Sequence, residues 1–411
     1  MKTILRIIKW IFKGFGLLIL LVLLAYGTFH LVEYVSGGKY VDYLEANSQT
    51  VKNTETFDFD KMSEDIQRNK LILVGEIHGF HIPEKFDISF FSYLVKDHGV
   101  KHYFAEFDVV QSAYLNAYLK SGNEELLKKA LSKWAVIQGR NNKDYYEKYQ
   151  SLRALYNDQS EGPNFQFYGI DQLQDFALTK EYLLPFDTTG QLKINNVADA
   201  IEFINTISNQ YEYSSDSAFM LIQIQSNLQA SLNKKNRESS LFENFKATYN
   251  HFNLSDEKVY GYFGLYHVMQ YRLNGQHPLA SQIRTSDLGL TDKILSINFI
   301  MNESNMVMPS EQVPEFMRQK GEYSRMEIAA DNMLCMYVYG IKDLKRMTPE
   351  YHKSLINLAS EDSPYAESSR LSYSFQIFPV TDLFEFTDKG MPYSQYAVFV
   401  RNSDWAEPFS D

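Results

Sequence analysis

Four short apolar runs stand far apart in the chain: KLILVG (70–75), KHYFAEF (101–107), FQFYGID (165–171) and KVYGYFGLYH (258–267). Continuous apolar runs of this length fit strands buried on both faces, as in a parallel sheet covered by helices on each side. The segments between them carry helical periodicity. Residues 83–99 read as a helix, with Pro83 in its first turn and Gly99 at its C-terminal cap. Further helical stretches are predicted at 109–121, 123–134 and 143–158, and a long, mainly helical region at 173–252. Later apolar runs at 293–301, 332–340 and 395–402 extend the sheet in this reading. The expected architecture is α/β: a mainly parallel sheet flanked by helices, with a large helical insertion. No internal repeat or low-complexity linker divides it, so residues 60–411 are read as one domain, preceded by one N-terminal transmembrane helix.

That helix is read from GFGLLILLVLLAYGTFHLV (14–32), which has no charged residue and is long enough to cross a bilayer. Lys2, Arg6, Lys9 and Lys13 precede it; Glu33 and Lys39 follow. The positive-inside rule then leaves residues 1–13 in the cytoplasm and the main domain outside it, with 14–35 as an uncleaved signal-anchor. A cleaved signal peptide is the rival reading. Against it, the run is longer than a usual signal core, and no clear small-residue cleavage site follows. Residues 36–59, polar and weakly periodic, read as a tether.

Composition excludes some functions. The net charge of −11 supplies no basic excess for phosphates, so no nucleic-acid partner is expected. Cys335 is the only cysteine, which rules out an intrachain disulfide and a thiolate metal cluster.

The strand ends carry ionisable residues. The first run ends at Glu76 and His78, the second carries Glu106, the third ends at Asp171 and the fourth at His267. In an open parallel sheet, ligands bind in the crevice at the carboxyl ends of the strands. Residues spread over two hundred positions are thus expected to converge on one edge. Taken singly, each has a structural alternative: a surface histidine, an ion-paired glutamate, or, for Asp171, a helix cap. Together they suit hydrolysis. A neutral imidazole is a good general base for water, and a carboxylate can orient it. No G-x-S-x-G elbow is present, and no cysteine stands beside a histidine, so a covalent serine or cysteine mechanism lacks its signature. Asn116, Tyr118 and Trp134 are candidate cleft residues but are assigned to packing, and His81 is assigned to a solvent-facing turn.

An ordered series of motifs resembles the erythromycin esterase family, within a superfamily that includes TIKI proteases and ChaN-like haem-binding proteins. The series is LVGEIHG (73–79), YLVKDHGVKHYFAEF (93–107), AYLNAYLKSG (113–122), SLRALYND (151–158), FQFYGID (165–171), RESSLFENF (237–245) and GLYHV (264–268). It covers about 70–270. The resemblance implies hydrolysis of an ester-like bond in a small-molecule substrate, with or without a metal. His78 matches the water-activating base, Glu76 and Glu106 the essential acids, His267 the later histidine and Arg237 the arginine of the long helix. Three departures stand out. Ile77 alone separates Glu76 from His78, a spacing closer to the ChaN and TIKI branches; Glu238 replaces the usual aspartate; and no second histidine follows His267 closely.

Two other functions stay open at the sequence level. One is a haem- or metal-binding module of the ChaN kind, the other a TIKI-like metal-dependent peptidase. Glu76, His78, Glu106 and His267 are the candidate ligands for a divalent metal, a nitrogen and oxygen set. No cofactor is fixed by the sequence: none is required, or a divalent metal serves.

Overall fold

The computed structural model describes residues 2–132, 142–158, 165–188, 190, 193–208, 215–377, 380–385 and 394–409. The chain opens with a long helix, α1 (Lys2–Ser36), and a short one, α2 (Gly38–Asn47). Strand β1 (Ser48–Lys52) follows, then α3 (Ser63–Arg68). Next come β2 (Leu71–Glu76), α4 (His81–His98), β3 (His102–Asp108), α5 (Val109–Ser121), α6 (Glu124–Ser132), α7 (Lys143–Asp158) and β4 (Gln166–Asp171). Helices α8 (Phe176–Leu183), α9 (Val197–Ser208), α10 (Asp216–Leu232) and α11 (Arg237–His251) form the insertion before β5 (Val259–Gly264). After α12 (Leu279–Arg284) come β6 (Ile294–Asn302) and the hairpin of β7 (Ser304–Pro309) and β8 (Tyr323–Ile328). The chain ends with β9 (Asp331–Asn332), β10 (Met336–Val338), α13 (Ile341–Met347), β11 (His352–Asn357), β12 (Tyr373–Ile377), β13 (Val380–Glu385) and β14 (Tyr396–Arg401).

Eight strands form the main sheet, in the order β1-β11-β14-β6-β2-β5-β3-β4. From β14 to β4 all pairs are parallel; β11 and β1 add an antiparallel edge. Strand β2 lies between β5 and β6, with Leu71 level with Val259 and Ile294. Its residues are buried on both faces. Ile72 and Val74 join a core with Phe86, Phe90, Tyr103 and Phe299, while Leu71 and Leu73 face Phe104, Phe245 and Leu279. Two apolar faces explain why the run is continuous rather than alternating. Helix α4 stops at Gly99, whose φ of +64° is reached at low cost only by glycine, and the Gly99 N–H donates to the Leu94 carbonyl.

The sequence reading needs three corrections. The stretch 36–59 is folded rather than a tether: α2 buries Tyr40, Tyr43 and Leu44, and β1 pairs with β11 along its whole length. Its alternation of buried aromatic and exposed polar positions is too short to stand out as a period. The run 332–340 does not extend the main sheet. It turns between β9 and β10, which belong to a separate four-stranded sheet in the order β13-β12-β10-β9. His81 is no turn residue: it opens α4, and its Nδ1 lies 3.0 Å from Asp144 Oδ2.

Helix α1 is long and apolar enough over Ile8–Ser36 to cross a membrane, and Trp10, Phe12, Leu18 and Leu24 on it are exposed. Its last turns dock on the small sheet. Glu33 is buried and accepts hydrogen bonds from the Tyr337 hydroxyl and, at 2.8 Å, the Gly340 N–H. Arg370 donates to the Glu33 carbonyl at 2.7 Å and to Ser36 Oγ at 2.6 Å. Phe29 packs edge-on against Tyr337 and Phe375.

Candidate active site

The carboxyl ends of β2, β3, β4 and β5 meet at one edge of the main sheet. Glu76 is the last residue of β2, and its carboxylate is buried against His78 Nδ1. A carboxylate only accepts, so this contact places the proton on Nδ1 and makes Nε2 the basic nitrogen. The Tyr145 hydroxyl of α7 also donates to Glu76 Oε1, at 3.2 Å.

On β3, the Glu106 carboxylate takes the Gly264 N–H at 2.7 Å on one oxygen and Arg237 Nη2 at 2.5 Å on the other. Arg237, the first residue of α11, reaches in from the insertion. Its Nε and Nη2 donate to Asp171 at 2.9 and 2.6 Å, a bidentate fork on the end of β4. Burial works against the guanidinium charge, but Asp171 and Glu106 more than offset it and raise its pKa further. His267 follows β5 in a short 3-10 turn and is buried. Its Nδ1 lies 2.7 Å from Glu238 Oε1 and its Nε2 3.4 Å from Glu106 Oε1, both ion-pair contacts. Burial pulls its pKa down, yet Glu106 and Glu238 lift it to about 9, so it is an imidazolium at neutral pH.

Gly264 joins the two halves. A Cβ there would stand 3.1 Å from Glu106 Oε2 and 3.3 Å from His78 Nε2. The missing side chain lets the His78–Glu76 pair approach the cluster of Glu106, Arg237, Asp171 and His267. All five residues singled out from the sequence therefore lie at one sheet edge. Asp171 belongs with them as the partner of Arg237 rather than as a helix cap. Asp175 caps the helix that follows instead, its carboxylate taking the Leu178 N–H at 2.6 Å, while Asp108 caps α5 through the Val110 and Gln111 N–H groups and is pushed by burial to a pKa of about 6.

Sequence reasoning missed the support beneath Glu76. Lys148, one turn after Tyr145 on α7, is fully buried 2.6 Å from Glu84 and 3.1 Å from Asp87 of α4. Tyr262 donates to Glu84 at 3.0 Å and Tyr260 to Asp87 at 2.6 Å. Burial pushes Glu84 up to about 7, although Lys148 opposes the shift. The i, i+3 spacing of Tyr145 with Lys148, and of Glu84 with Asp87, was the available signal. Asn116 and Tyr118 are structural. The Asn116 amide bridges the Phe167 N–H and carbonyl at 2.9 and 2.8 Å, and the buried Tyr118 donates to Glu124. Trp134 lies outside the described residues.

The candidate metal ligands are committed to one another and to a cation. Glu76 holds His78, Glu106 and Asp171 hold Arg237, and His267 is paired with Glu238. Among the described residues no three histidine, cysteine, aspartate or glutamate side chains are arranged to hold a metal ion. The Arg237 guanidinium already lies between Glu106 and Asp171 and neutralises them.

No protein-family model matches the chain, and no curated protein matches it in sequence. Solved structures do. A Bacillus cereus protein aligns over 91% of this chain and 99% of its own, with a TM-score of 0.61 at 14% identity. A succinoglycan biosynthesis protein aligns over 89% and 97%, with a TM-score of 0.58 at 12% identity. The erythromycin esterase EreC, a mutant in its open conformation, aligns over 89% and 99%, with a TM-score of 0.54 at 13% identity. At these identities the likeness is one of fold. The molecule has a mixed α/β fold like that of an erythromycin esterase.

Proposed function

We propose that the protein is a membrane-anchored hydrolase of an ester-like bond in a small molecule, with its domain outside the cytoplasm. The observation that carries this reading is the oriented base: buried Glu76 fixes the His78 tautomer, and Nε2 lies beside Gly264, next to the charged cluster of Glu106, Arg237, Asp171 and His267. His78 Nε2 takes a proton from water as the water oxygen bonds to the ester carbonyl carbon. Glu76 stabilises the imidazolium that forms. Charge developing on the carbonyl oxygen is met by Arg237, whose side chain is 40% exposed. Collapse of the tetrahedral intermediate breaks the bond to the leaving oxygen, which takes the proton back from His78. An acid and an alcohol are released, and no metal enters any step.

Membrane anchoring is supported by the docked end of α1. Cleavage near residue 36 would remove the Glu33 carboxylate from Tyr337 and Gly340. The hydrolytic reading is tested by incubating the purified full chain with esters, lactones and peptides at neutral pH, with and without chelator. Chelator-insensitive cleavage of an ester or lactone is expected. Activity that vanishes with chelator and returns with a divalent metal would favour a metal-dependent peptidase. No cleavage together with a stoichiometric bound haem would favour a binding module.

A further inference from the structure

An apolar cavity of about 80 Å³ opens beside the strand ends that carry the site. Two of its wall residues adjoin the site in sequence: Ile77 stands between Glu76 and His78, and Leu265 follows Gly264. Met269, Ile300, Met336 and Val338 form much of the rest. Two polar side chains in this wall lack partners among the described residues. Asn298 of β6 is fully buried, and neither Oδ1 nor Nδ2 has a hydrogen-bond partner among the described residues; Ser374 Oγ of β12 is also buried and has none among them. Buried amides and hydroxyls are almost always satisfied, and leaving one unsatisfied is costly. An orphan donor, an orphan acceptor and an orphan hydroxyl in one apolar cavity mark a place for a ligand oxygen.

We propose that this cavity is the acyl subsite of the hydrolase, and that it takes a short aliphatic acyl chain of about four carbons bearing one hydroxyl group. This rests on the hydrolytic reading above. Size sets the chain length: a closed cavity of about 150 Å³ accommodates benzene, and this one has about half that volume. The orphan groups set the substituent. A hydroxyl donates to Asn298 Oδ1 while accepting from Nδ2 or from Ser374, which a bare hydrocarbon does not. The scissile carbonyl then lies at the cavity mouth, where Ile77 and Leu265 lead to His78 and Gly264.

The test uses the full chain in detergent and p-nitrophenyl esters of acetate, butyrate, octanoate and the 2-, 3- and 4-hydroxybutyrates. From acetate to butyrate, kcat/KM is expected to rise about tenfold, since each buried methylene is worth about fourfold. It falls again at octanoate. One hydroxybutyrate isomer exceeds butyrate by about tenfold or more, because a site built around a hydroxyl discriminates against its absence. Asn298→Val erases the hydroxyl preference, so that the rates for the hydroxybutyrates and butyrate converge. Met336→Trp fills the cavity and removes the chain-length preference, bringing the butyrate-to-acetate ratio of kcat/KM down to about one. Cleavage indifferent to chain length and hydroxyl overturns the subsite and leaves hydrolysis standing. If no ester is cleaved, the uncleavable ketone isosteres of the same chains decide by thermal shift. A rise in unfolding midpoint with the hydroxylated isostere, lost in Met336→Trp, upholds the cavity without hydrolysis; no rise overturns it.

Discussion

His267 is held between Glu106 and Glu238, and the pairing makes stability depend on pH. Its pKa is about 9 in the folded protein against 6.5 for an unperturbed histidine. A folded-state pKa above the unfolded one gives stability that is full below about pH 6.5 and is lost as pH rises through about 9. The loss is on the order of 3 kcal/mol. Chemical denaturation at pH 6 and pH 9.5 should show this drop, and His267→Gln should flatten it. An unchanged slope in the variant would mean that another group titrates. Glu106→Gln keeps the shape but removes the charge that Arg237 and His267 share, and it should lower turnover by about tenfold or more. At this scale the sequence was partly legible. Glu76, His78, Glu106, Arg237 and His267 stood out because strand ends and a motif series marked them. Glu238 was noticed as a departure, but its pairing with His267 depends on the register between α11 and β5, which no local pattern carries. Tyr145 and Lys148 were hidden inside an ordinary helix.

Strand ends decide whether the two halves of the site meet. Gly264 ends β5, and an added methyl would stand 3.2 Å from His78 Cε1 and 3.1 Å from Glu106 Oε2. Gly264→Ala should therefore cost about tenfold or more in kcat, since small misplacements of catalytic groups are expensive, with an unfolding midpoint close to wild type. Full activity would show that Gly264 does not gate their approach. Strands β2 to β6 and β14 were readable because burial on both faces makes their sequences continuously apolar. The antiparallel strands β1 and β11, SQTVK and HKSLIN, were not: strands at the antiparallel margin tolerate mixed residues and leave no run to find. The small sheet was misread for a related reason. Its strands are two to six residues long, and their pairing is set by turns rather than by an apolar period.

At the scale of the whole molecule, α1 and the domain form one connected body through Glu33, Arg370 and Phe29. Two outcomes follow from the proposed anchoring. Protease added to intact spheroplasts should degrade the domain, and the surviving chain should still carry its N-terminal segment. A protected domain would reverse the orientation, and a mature chain beginning near residue 36 would remove the anchor. Glu33→Ala should lower stability by about 1–3 kcal/mol, because it strips a buried acceptor from Tyr337 and Gly340. A change within about 0.5 kcal/mol would mean that the helix end is not docked in solution.

The central claim is that His78 is the base that activates water. The most direct measurement is kcat/KM for the best ester of the panel, in wild type and in His78→Ala, with unfolding midpoints taken alongside. His78 follows the end of β2 and its side chain is 22% exposed, so truncation should leave the fold near wild-type stability. The account predicts a loss of about 10²–10⁴ in rate with an unchanged midpoint. Wild-type turnover by folded His78→Ala protein would contradict it.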